Sequence, residues 1–317
     1  MKKGLAFFFI ACFFIMSSYS QRKEMYKAFE DSIVKLHKEI LLEQNTIIKY
    51  QKNEQLLFLM EEALQQKNSI NYAFDSLKTI SVLTSPDKKI RILTWYLIDN
   101  DGTHEHFGFL QAYNEEKERY VVYTLTDKWQ LLGIHATQTL DYLSWFGAVY
   151  YELIQTTINK KKYYTLLGWN GGTLFSQYKV IDVISLNSRG APVFGAYIFR
   201  GFGKGKPARI LFEYAKKSNL NLAYDKQSYT QRSTKKSRKG YTYRVDTIYT
   251  PMIIFNRLIP MEESLKDVRQ YYVAESSLND AFIEKEGRWY FKPDVQGRNP
   301  DKPLPKYEYK PKQYYKR

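Results

Sequence analysis

Cysteine is almost missing: Cys12 is the only one in 317 residues. It lies inside the apolar opening MKKGLAFFFIACFFIMSSYSQ, so a chain that loses that stretch keeps no thiol. Disulfide staples and thiol nucleophiles are then both excluded, and the fold must rest on its core. A G-x-S-x-G elbow is also missing, as is a glycine-rich phosphate loop opening a helix. GFGKGK at 201–206 has the glycines and lysines but joins one strand-like run to another. Histidine is scarce, at four residues. No apolar run is long enough to cross a bilayer. The longest, 5–16, has about a dozen residues against the ~20 required, and Arg22, Lys23 and Glu24 follow soon after it. No motif calls for a cofactor.

What is present begins with charge. Lys2 and Lys3, the apolar centre, and the small residues Ser18 and Ser20 read as a secretory signal peptide over 1–20, cut before Gln21. The expected destination is the periplasm, the envelope or the outside. Lys+Arg number 48 and Asp+Glu 33; without Lys2 and Lys3 the balance is 46 minus 33, or +13. The excess is concentrated. Residues 226–244, KQSYTQRSTKKSRKGYTYR, hold seven basic residues and no acidic one, and the tail 297–317 holds seven basic and two acidic. Both are poor in aliphatics and read as a mobile loop and tail. Lys235, Lys236, Arg238 and Lys239 form the densest basic cluster, suited to an anionic envelope component, an acidic protein or peripheral contact with anionic lipid. Export argues against nucleic acid as the partner.

The chain then divides by period. Met25, Phe29, Ile33, Leu36 and Ile40 make one helical stripe, and Leu56, Leu57, Leu59, Met60, Ala63 and Leu64 a second that starts near Asn53–Glu54. A helical hairpin, or one helix bent near Asn45–Thr46, is expected over 24–66, with a short third helix over 72–83. His37 in this front and His135 in a later loop read as structural or exposed. From 85 to 296, short runs rich in Tyr, Phe, Ile and Val alternate with turn residues. IRILTWYLI meets HFGFLQAY across an Asp-Gly turn, and RILFEYA is expected to meet LNLAYD across 217–219. MIIFNRLI stands alone. Short links favour antiparallel neighbours. The expected fold is mainly β with an N-terminal helical segment (21–84): an antiparallel meander closing as a barrel, sandwich or propeller-like body. KVIDVISL is apolar on both faces, so something covers its second face, the front helices being one candidate.

Three sets of residues are candidates for chemistry. Glu152, Asp182 and Glu213 sit mid-strand about thirty residues apart, and two carboxyls brought within about 5–10 Å can cleave a glycosidic bond. His104 and His106 alternate on one strand beside Asp101 in DNDGTHEH, a possible divalent-metal set, although two surface histidines beside a turn are commonplace. Trp169 and Asn170 in YYTLLGWNGGTLF could offer a platform to a ligand; Gly171 and Gly172 fit an ordinary turn.

YYTLLGW-N-G, VIDVISLN-x-x-G-x-PVFG and RILFEYA together resemble an uncharacterised family of exported proteins from Bacteroidota-type bacteria, over roughly 89–298. The resemblance implies export and a shared β body, and brings no activity, catalytic residue or cofactor. The basic segment 226–244 and the Tyr-Lys-Pro tail look like departures peculiar to this chain. The functional expectation is an exported, non-catalytic binding or scaffold protein of the envelope. An envelope glycan hydrolase using the strand carboxylates is the alternative.

Overall fold

The computed structural model describes residues 2–132, 136–237 and 240–295; at 2–20, 132, 232–237 and 240–244 only the backbone is described. Two helices lead. α1 (Lys2–Leu42) runs unbroken from the apolar opening into the amphipathic segment, and α2 (Thr46–Gln65) folds back against it. Asn45 caps α2, its Oδ1 accepting from the Ile48 N–H at 3.2 Å, which answers one free donor of the first turn. The start expected at Asn53–Glu54 is corrected: Asn53 is buried mid-helix and accepts the Trp95 indole N–H at 2.8 Å.

The inner ridge of α1 is Tyr26, Glu30, Ile33, His37 and Ile40, while Phe29 and Leu36 are half-buried on its flank. Polar residues hold that ridge because the segment after α2 supplies partners. Glu30 accepts from the Tyr72 hydroxyl and the Ser76 N–H, both at 2.6 Å, and His37 Nδ1 meets Thr79 Oγ1 at 2.7 Å. This segment does not form the third helix expected at 72–83. It leaves a 3₁₀ turn at Ser69–Asn71 and runs irregularly into a strand. No described helix is long and apolar enough to cross a membrane.

Three sheets follow. The first is the meander β1 (Ser81–Thr84), β2 (Ile90–Ile98), β3 (His104–Asn114) and β4 (Arg119–Thr126). A single helical turn, α3 (Trp129–Leu132), leads to the second sheet. Its strands are β5 (Leu140–Asp141), β6 (Val149–Ile158), β7 (Lys161–Asn170), β8 (Ser176–Leu186) and β9 (Pro192–Phe194), in the order β5-β9-β8-β7-β6, with β11 (Ile210–Ala215) also pairing β8. The third sheet contains β10 (Phe199–Arg200), β12 (Leu222–Ser237), β13 (Gly240–Pro260), β14 (Tyr272–Lys285) and β15 (Arg288–Val295), in the order β10-β15-β14-β13-β12. Among the described residues strands predominate over helices. Every ladder between named strands is antiparallel except β10 with β15. Among the described residues no barrel closes.

Four apolar layers meet face to face. The helices cover the first sheet at Leu93, Trp95 and Phe109. The other face of that sheet, through Ile92 and Leu110, meets Val180 and Ile184 of β8. Ile181 and Val183, on the opposite face of β8, meet Phe255 and Phe282 of the third sheet. β8 is two-faced because it runs through the middle layer, and burying each such aliphatic side chain is worth about 1.5–3 kcal/mol. The helices offered as its cover lie one sheet further out.

Several pairings differ from expectation. β11 does not meet β12; it pairs β8 from Ile210↔Ile181 to Ala215↔Ser176. The short link after β11 carries the chain between stacked sheets, whose ~10 Å separation a few residues can span. PVFGAYIF splits at Gly195, whose φ of +89° suits glycine, so β9 stays in the second sheet while β10 joins the third. MIIFNRLI, in β13, has a neighbour on each side. The backbone of 226–237 and 240–244 is not a loop: it forms the far half of the β12–β13 hairpin.

Candidate functional site

The Trp-Asn-Gly-Gly stretch ends β7 above a buried polar cluster. Asn170 is fully buried; its Nδ2 donates to the Gly147 carbonyl at 2.6 Å and its Oδ1 accepts from the Gly172 N–H at 2.7 Å. Gly172 has φ +62°, the left-handed region that favours glycine, whereas Gly171 is needed for close approach: a Cβ there would run into the His104 ring. Trp169 is half-buried. Its indole N–H donates to Gln177 Oε1 at 2.9 Å, and its ring packs edge-on against Tyr96 and His104, each at 5.4 Å. Both residues proposed as a ligand platform are thus engaged inside the protein, and the stretch is a turn that seals the cluster.

His104 and His106 are buried rather than exposed as expected. Burial first, then the charges of Lys216 and His106, lower the His104 pKa to about 4. His106 Nδ1 lies 2.9 Å from Asp127 Oδ2, and the His106 backbone N–H donates to that same oxygen at 2.9 Å. The other Asp127 oxygen accepts from the N–H groups of Trp129 and Gly147 at 3.0 and 3.1 Å. Asp127 therefore fastens β3 to the turn before α3 and to the chain entering β6. An Asp–His pair of this kind orients a general base, but the His106 side chain has no exposure here. Its Nε2 and His104 Nδ1 are buried without a partner among the described residues. Asp101 stands apart, exposed at the hairpin tip, where its carboxylate accepts from the Thr103 N–H at 2.8 Å and its pKa is lowered. Among the described residues no three His, Cys, Asp or Glu side chains converge as metal ligands.

The three mid-strand carboxylates do not share a cleft. Asp182 faces the first sheet beside Val180 and Ile184, fully buried. Its Oδ1 accepts from Arg209 Nε at 3.3 Å and the Val183 N–H at 2.8 Å, and its Oδ2 from the Tyr150 hydroxyl at 3.4 Å. Burial, then the Asp182 charge, push the Tyr150 pKa well up. Arg209 also donates to the carbonyls of Gln138 and Phe194 at 2.9 and 3.1 Å. Glu152 sits opposite Leu167, which pairs Ile181, so it lies on the face turned to the third sheet, where burial raises its pKa. Glu213 lies opposite Tyr178, four residues from Asp182 and so about 13 Å along the strand. Sequence reasoning missed Arg209, Tyr150 and Asp127. The only local signal was an arginine at the head of an apolar strand.

The basic segment is different. β13 pairs β14 only as far as Met252↔Ile283. Tyr229 and Ile248 still pack with Met252 and Ile283 on the outer face of the third sheet. Beyond them, from Gln231↔Asp246 to Ser237↔Gly240, β12 and β13 pair with each other alone among the described residues, over roughly 20 Å. Lys235 and Lys236 are on this arm opposite Thr242 and Tyr241. Arg238 and Lys239, the tail 297–317 and His135 lie outside the described residues.

Comparison of the chain with family models, curated proteins and solved structures finds no match.

Proposed function

We propose that this chain is an exported envelope protein that acts by binding, with the β12–β13 arm as its contact for an anionic envelope polymer, an anionic lipid surface or an acidic protein. One observation carries the reading: the two strands leave the sheet together over 231–246, a stretch with six basic residues and one acid, Asp246. A two-stranded ribbon is marginal by itself, and a concentration of charge of one sign weakens it further by self-repulsion. Bound anions would remove that penalty. The stacked sheets are read as a double sandwich that serves as a rigid base for the arm, and the leader over 1–20 as the signal that exports it. The test is retention on envelope preparations as salt rises. Binding at low salt that is lost as the Debye length shrinks supports the reading, and absence of binding at every salt level contradicts it.

A further inference from the structure

At the outer edge of β11 the second and third sheets part around a cleft of about 300 Å³. Phe202, Phe212 and Phe255 make its apolar wall, their ring centroids 4.7 to 6.3 Å apart. The polar lining includes Glu213, Asn256, Arg257 and Asp280, with Arg269 of the 3₁₀ turn Arg269–Tyr271 at the rim. A register break between Asn256 and Arg257 in β13 falls at this cleft, the kind of irregularity that re-aims side chains beside a site.

The charges here are already answered inside the protein. Arg257 Nε donates to Asp280 Oδ2 at 3.0 Å, and its Nη2 donates to Asp280 Oδ1 and, at 2.7 Å, to Asp294 Oδ1. Its Nη1 keeps two N–H bonds without a partner among the described residues. Glu213 Oε1 accepts from Ser176 Oγ at 2.7 Å, and the Tyr178 hydroxyl lies against the same carboxylate. Two acids, Glu213 and Asp280, face two bases, Arg257 and Arg269, so the lining has no net formal charge.

We infer that this cleft binds one neutral sugar ring. A sugar presents an apolar C–H face to the phenylalanine wall, and its hydroxyls can accept from Arg257 Nη1 and donate to the Glu213 carboxylate. A phosphate or carboxylate ligand needs an uncompensated cation. Arg257 is bracketed by two carboxylates, and the exposed Arg269 sits over the Tyr272 ring at 4.4 Å. The volume lies at the small end for ligand sites, which fits a single ring better than a chain.

The test is saturation-transfer NMR on the full chain with glucose, galactose, mannose and N-acetylglucosamine at millimolar concentration, with free phenylalanine alongside. Glu213→Gln preserves shape and an acceptor for Ser176; Phe202→Leu thins the wall; thermal unfolding confirms that both variants fold. At least one sugar should receive saturation on its ring C–H protons, and each variant should weaken it by about tenfold. Three results overturn the inference: no transfer to any of the four sugars, transfer to phenylalanine alone, or sugar transfer unchanged in both folded variants.

Discussion

Two regions of this chain treat charge in opposite ways. In the stacked sheets each buried charge meets a partner: Asp182 meets Arg209, and Arg91, fully buried with no carboxylate beside it, is held by dipoles. Arg91 Nη1 donates to the Tyr72 carbonyl at 2.6 Å, and its Nη2 donates to Gln111 Oε1 at 3.1 Å and to the Ser69 carbonyl. Burial still lowers its pKa, to about 10. The β12–β13 arm is the reverse case, with six cations over 231–246 against a single carboxylate, Asp246. The body uses its charges to define its own fold; the arm's charge calls for anions from elsewhere. Substitutions in the body should therefore act on stability, and those on the arm on binding.

Asp182→Ala tests that division most severely. It leaves Arg209 buried without its carboxylate and should cost about 3–5 kcal/mol in denaturant unfolding. A loss below about 1 kcal/mol would mean that the body's buried charges do not define its fold.

Acid comes next. His37 and His104 both have folded pKa values lowered from 6.5 to about 4, chiefly by burial. The folded state therefore favours the neutral rings. The stability this brings is whole above pH 6.5 and is lost as pH falls toward 4. His104→Gln, which never charges, should remove on the order of 2–3 kcal/mol of that acid dependence. An unchanged pH profile in the variant would show that His104 is not the titrating group.

Arg91→Met should cost about 2 kcal/mol, because the Tyr72 and Ser69 carbonyls lose their donor in a buried place. A neutral result would show that dipoles hold a lone buried guanidinium no better than packing does. The smallest expected effect on stability is in the basic segment, where Lys235→Gln, Lys236→Gln, Arg238→Gln and Lys239→Gln together should stay within ~0.5 kcal/mol of the parent.

Legibility in the sequence followed the range of the interaction. The helix over 25–40 and the Asp-Gly hairpin joining β2 to β3 are local patterns, and the structure carries both, although the buried ridge of the helix takes Tyr26, Glu30 and His37 in place of Met25, Phe29 and Leu36. The two-faced run in β8 told correctly that a second layer exists, but not which, since period two reports burial and not the identity of the cover. Asp182 looked like an isolated mid-strand carboxylate because Arg209 lies 27 residues on, just ahead of the strand paired with β8. His104 and His106 looked exposed because they follow a turn; His104 is sealed by Trp169 and Gly171, more than sixty residues away, and His106 by Asp127 and Trp145. The arm's composition resembled a loop because Ser, Thr, Lys and Gly are common in both; the ladder register that makes it a hairpin is not written in composition.

The central claim is that the arm binds anions, and sedimentation with phosphatidylglycerol vesicles tests it directly when the parent chain is compared with the four-fold glutamine variant. The parent should pellet at low salt and be released as salt rises. The variant should bind up to about a thousandfold more weakly, at about 1 kcal/mol per lost charge near the surface, with an unchanged unfolding curve. Equal binding by both proteins, or no binding by the parent at low salt, would contradict the account.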